Sequence, residues 1–108
     1  DSKRAANGNR KDIPMKFAFL IMLPSHMDCD RAKINGGSAQ IIGVTSLEEA
    51  AAAAKLLQAV GVGCIELCGA FGEAGAKAII EATGGNLPVG FVTHLPEQDG
   101  VYAAAFGE

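Results

Sequence analysis

"C-I-E-L-C-G-A-F-G", residues 64–72, is the stretch on which the fold turns. Cys64 to Cys68 is a β-type run with a carboxylate at its centre, and it breaks at once into a glycine turn, Gly69 to Gly72. Glu73 to Thr83 then places Ala76, Ile79, Ile80 and Thr83 at helical spacing, and Gly84-Gly85-Asn86 supplies the stop. Strand, tight turn and helix in succession form the unit of a parallel sheet. Alternation along the strand puts Cys64, Glu66 and Cys68 on one face and Ile65 and Leu67 on the other.

The same layout appears upstream. Ala39 to Thr45, "AQIIGVT", reads as a strand, and "SLEE" at 46–49 is a capping box. The Ser46 hydroxyl can accept from the Glu49 amide while Glu49 reaches back to Ser46. Alanines 50–54 propagate that helix, with Leu47, Ala50, Ala54, Leu57 and Gly61 near one face. Downstream, Pro88 to His94, "PVGFVTH", reads as a strand with Pro88 at its tolerated first position. At the other end, Lys16 to Leu23 is an apolar run that Pro24 ends. Residues 25–37 read as a loop with one short helical turn near 28–33, and the tail, 95–108, fits strand and short helix equally. The expected fold is α/β: a small, mostly parallel four-stranded sheet with βαβαβ crossovers, right-handed by rule, and two main helices.

Residues 1–14, "DSKRAANGNRKDIP", are polar, charged and aperiodic, and Met15 then opens "MKFAFLIML" like a native start. They are expected to be a disordered leader or vector-derived segment, the alternative being a native arm packed on a partner. Residues 15–108 are expected to form a single α/β domain.

Composition narrows the function. With 108 residues, 49% of them apolar, the chain can build one core without staples. The net charge is -3, Trp is absent and no basic patch follows residue 16, so nucleic acid is not an expected partner. No apolar stretch is long enough to span a bilayer, so no membrane is expected either. Three cysteines exclude a fully paired disulfide framework, and reduced thiols in a cytoplasmic protein are the plainest reading.

Candidate site residues follow from the sheet. In an open parallel sheet, ligands bind beyond the carboxyl ends of the strands. Those ends carry Ser25 and His26, Thr45 and Ser46, Cys68 to Gly72, and Thr93 and His94. Glu66 and His94 are the candidate catalytic acid/base groups. His26, Thr45, Ser46, Cys68, Gly69 and Gly72 are candidate ligand contacts. Free amides after Gly69 and Gly72, at a helix amino end, suit an anion, although Glu73 opposes one. The order G-A-F-G-E-A-G is neither a dinucleotide fingerprint nor a P-loop, so no cofactor is expected. His26, Cys29, Cys68 and His94 include zinc donor types, but at no recognised spacing, and no metal is assigned. A nucleophilic Cys68 with His94 as its base is a further arrangement the residue types allow. Against all of these stands a structural reading, in which Glu66 is hydrogen-bonded within the fold and the cysteines only pack.

If strand order advances in one direction, both crossover helices land on one face. The other face then needs a cover: the 25–37 loop, the 95–108 tail or another subunit. A homodimer or higher homo-oligomer is therefore expected.

With "IIGVTSLEEAAAAAKLL", "GCIELCGAFG" and "GGNLPVGFVT" in view, residues 15–94 resemble a family of short bacterial proteins of unknown function. Its members carry an apolar first strand, a "VGV" strand before an acidic helix, and a motif like "ELCGGFG". Ala70 stands where that motif has glycine, and the tail does not match. The resemblance implies a fold and no mechanism. The same segment is also similar to one βα unit of a phosphate-binding barrel enzyme, a likeness of fold alone. The expected function is binding of a small anionic molecule at the carboxyl ends of the strands. The alternatives are a small enzyme using Glu66 or His94, and a non-catalytic homo-oligomeric structural module.

Overall fold

The computed structural model describes residues 15–25 and 27–107. The expected leader, residues 1–14, and His26 lie outside the described residues. Among the described residues the sheet has five strands rather than four: β1 (Phe17–Met22), β2 (Arg31–Ile34), β3 (Ala39–Val44), β4 (Cys64–Leu67) and β5 (Val89–Phe91). Among the described residues there are three α-helices rather than two: α1 (Leu47–Ala59), α2 (Gly72–Ala82) and α3 (Asp99–Phe106). The spatial order is β2-β3-β1-β4-β5. The sheet is mixed, because β2 runs antiparallel to β3 while β1, β3, β4 and β5 are parallel neighbours.

The extra strand has a local cause. Asn35, Gly36 and Gly37 all adopt positive φ (51, 68 and 95°), and the Asn35 side chain donates to Ser38 Oγ at 2.7 Å. Asn and Gly tolerate that conformation where branched residues do not. The chain therefore reverses there, and Arg31–Ile34 pairs with Ala39–Ile42 as a hairpin instead of coiling into a helical turn. This hairpin also explains how β1 and β3 lie parallel without a crossover helix: the return path is β2.

Two helical crossovers follow, right-handed by rule. α1 carries the chain from β3 past β1 to β4, and α2 carries it from β4 to β5, so both advance in the same direction. They lie side by side on one face of the sheet. Ala18, Leu20, Ile42, Val44, Ile65 and Leu67 point to that face and meet Ala50, Ala53, Ala54, Leu57, Ala76 and Ile79 in the core. Small alanines let α1 approach the sheet closely. Leu47 and Ile80, expected on the buried faces, are 37% and 38% exposed.

The capping box is half as expected. Glu49 N donates to Ser46 Oγ at 3.0 Å, but the Glu49 carboxylate accepts from the amide of Thr45 at 2.7 Å, not of Ser46. The tail resolves as α3, preceded by a 3-10 turn at Pro96–Gln98. None of its residues is buried.

Candidate functional site

Parallel β1, β3, β4 and β5 bring their carboxyl ends to one edge, as the sequence suggests. At that edge a groove of about 760 Å³ runs between the β4–α2 turn and the segment from β5 to α3. Cys68, Gly69, Ala70 and Gly72 form one wall, and Phe91, Val92, Thr93 and His94, with Tyr102 and Phe106 from α3, form the other.

The first wall is built by the glycine turn. The Phe71 amide donates to the Cys68 carbonyl at 3.1 Å, closing the turn, and Gly72 enters α2 at φ 65°. Phe71 stands at the cap position of α2 and is buried, so its side chain goes to the core and no side chain caps the helix. The first-turn amides are thus left to solvent or to a ligand, with Glu73 as the only acidic residue of that turn. Cys68 Sγ accepts from the Met22 amide at 3.3 Å, which holds the thiol between the ends of β1 and β4.

The second wall is an aromatic ladder. His94 stacks on Tyr102 with centroids 3.9 Å apart and rings 14° from parallel, and Tyr102 lies 5.7 Å from Phe106. His94 Nε2 lies 2.8 Å from Asp99 Oδ1, a pair that ties the strand end to the first residue of α3. Asp99, Tyr102 and Phe106 are three and four residues apart and so share one side of the helix. This spacing was the available signal for the second wall. It is easily missed in a tail with so few polar residues.

Glu66 is elsewhere. It lies in the middle of β4 on the face opposite the helices, in one cross-sheet row with Ala32, Ile41, Phe19 and Gly90. It lines a second hollow, of about 260 Å³, with Phe17, Phe19, Ile34 and Ile41. A side chain at Gly90 would put its Cβ 2.6 Å from Glu66 Oε1, so Gly90 is the space in which the carboxyl rests. Cys64 Sγ donates to Glu66 Oε2 at 3.5 Å. Burial first, then that hydrogen bond and the carboxylate's charge, push the Cys64 thiol above its ordinary value. Cys64 is therefore a protonated thiol at neutral pH.

The structure thus brings together four of the candidate residues, Cys68, Gly69, Gly72 and His94, and separates Glu66 from them. Thr45 and Ser46 are engaged in capping α1 and do not line the groove. His26 lies outside the described residues. Among the described residues no group of three His, Cys, Asp or Glu side chains could hold a metal ion. The three cysteines are unbridged. Among the described residues no helix is long and apolar enough to cross a membrane.

No curated protein and no solved structure matches the chain significantly. Residues 15–107 do match one family across the whole described domain, and the chain belongs to it: the family of unknown function DUF6506.

Proposed function

We propose that the chain binds a small anionic molecule with a flat or apolar body in the groove at the carboxyl edge of the sheet. The observation that carries this reading is the meeting, on one groove, of the uncapped amino end of α2 and the His94–Tyr102–Phe106 ladder. Amides at a helix amino end suit an anionic group. Exposed aromatic rings suit a flat body, and small-molecule sites commonly combine such apolar walls with a few convergent polar groups. Gly69 and Gly72 keep the turn open to close approach, and His94 and the Tyr102 hydroxyl supply polar contacts.

The test is a titration followed by amide chemical shifts, with inorganic phosphate and benzoate as probes. Shifts confined to 68–74 and 91–106, lost in His94→Ala and kept in Glu66→Gln, support the reading. Absence of shifts, or shifts that survive His94→Ala, overturns it.

One observation favours an enzyme as the second reading. A carboxylate held against one ring nitrogen of a histidine fixes the ring and leaves the other nitrogen as an acid/base. The His94–Asp99 pair has that form, and the Cys68 thiol lines the same groove. In this reading His94 is the general base. Turnover of any substrate that binds the groove would drop in Asp99→Asn while binding is retained.

A further inference from the structure

We propose that the open face of the sheet is the docking surface for a second copy of this chain, packed sheet against sheet. Both crossover helices cover the other face. α3 stays beside the edge groove, with no buried residue. Among the described residues Ser25 and the Asp30 carbonyl are set over Gly43, and they cover one corner of the open face. Of the three covers the sequence allows, the tail is thus spent elsewhere and the loop, among the described residues, covers only that corner.

The side chains on this face are those of an interface rather than of a solvated surface. Its centre is Phe17, Phe19, Ile21 and Ile41, and Phe17 and Ile41 are 44% and 46% exposed. The edge strand is the most telling part. β2 alternates, and its charged residues Arg31 and Lys33 pair across to Ile42 and Gln40, on the helix side. Arg31 Nη2 donates to Gln40 Oε1 there at 2.8 Å. Ala32 and Ile34 are left on the open side, and Ile34 is 63% exposed. A sheet face meant for water carries its polar residues outward. Here the alternation runs the other way, so the apolar surface extends to the edge of the sheet. Glu66, on β4, stands to one side of this centre.

The size fits a second copy. Five strands of three to six residues span roughly 20 Å across and roughly 10–20 Å along the strands at ordinary spacing and rise. That footprint, roughly 300 Å² before side-chain corrugation is added, supplies a substantial share of the ~800 Å² that each partner of a standard interface contributes. Stacked sheets, about 10 Å apart, are a standard way to bury two such faces. One charge-poor patch facing its own copy about a twofold axis needs no complementary charge.

The test is light scattering on the eluted full-length chain, with Ile41→Lys and Ala32→Arg on the open face and Leu56→Lys on the outside of α1 as control. The expected masses are twice 11.0 kDa for the wild type and for Leu56→Lys, and once for each face variant. Circular dichroism must show the face variants folded, and having two of them guards against one that fails to fold. A monomeric wild type overturns the proposal. So does a dimer that survives both face variants, which places association elsewhere. A wild type that dimerises only after residues 1–14 are removed overturns it too, because that segment is then the occupant. Phosphate and benzoate binding in the groove is read separately, so either proposal can fail without the other.

Discussion

The two faces of the sheet have nearly the same chemistry and opposite fates. On the helix side, Leu20, Ile42, Ile65 and Leu67 are 0–2% exposed. On the open side, their neighbours Phe19, Ile41 and Phe17 stand half-exposed or exposed, next to a carboxylate. Strand residues alternate between the two sides, so adjacent positions in sequence differ in burial only because two helices cross on one side. The lesson is that covering, not composition, makes a core. The position of the covering follows from strand order and handedness.

This comparison can be broken at several strengths. The largest effect is expected from Leu20→Ala, which leaves a cavity under α1 and should cost about 2–5 kcal/mol in urea unfolding. Ile41→Ala, one strand over and on the open face, should cost less than about 0.5 kcal/mol in dilute protein. If a second copy covers the face, that cost grows with protein concentration, and the wild-type melting midpoint rises with concentration too. Similar losses for Leu20 and Ile41 at high dilution would mean the open face is covered within one chain.

Next in size is the cover itself. Ser46→Ala removes the acceptor for the Glu49 amide and should cost about 1 kcal/mol, read by the same denaturation. The smallest effect concerns Cys64 and Glu66 on the open face. Glu66→Gln removes both the charge and the strong acceptor that favour the protonated thiol, so Cys64 should be alkylated faster than in the wild type at pH 8. The pH sign follows. A thiol whose folded value is raised contributes stability that is complete below its unfolded value, about 8.5, and is lost as pH rises through the raised folded value. Wild-type stability should therefore decline on the alkaline side more steeply than that of Cys64→Ser.

Much of this was legible in the residues. The capping box at 46–49, the glycine turn at 69–72 and the apolar runs at 17–22 and 39–44 each act through neighbours a few positions away. Local chemistry of that kind is written in order along the chain. β2 was not found, because its pattern is four exposed residues with no buried face, and only pairing with β3 makes it a strand. The Asn35-Gly36-Gly37 turn was its signal. The groove was half legible: Cys68, Gly69, Gly72 and His94 were named, but Asp99, Tyr102 and Phe106 join them only because α3 folds back on the strand end.

Glu66 shows where a sequence alone stops. Alternation puts it on the same side as Cys64 and Cys68; Cys64 does meet it there, but Cys68, past the strand end, packs against the core. Proximity in sequence suggested the same site as Gly69. Each strand residue advances about 3.3 Å toward the edge and each flip reverses its face. One residue short of the strand end, on the uncovered side, Glu66 belongs to a different surface from the groove. The chain by itself determined four of the five strands, the glycine turn and the expected handedness of the crossovers, because these depend on local propensity and on one handedness rule. Only the tertiary structure decided which side of each strand is core, which residues meet at the edge and which face is left open. Those depend on what is laid over the sheet, and the covering elements lie far along the chain.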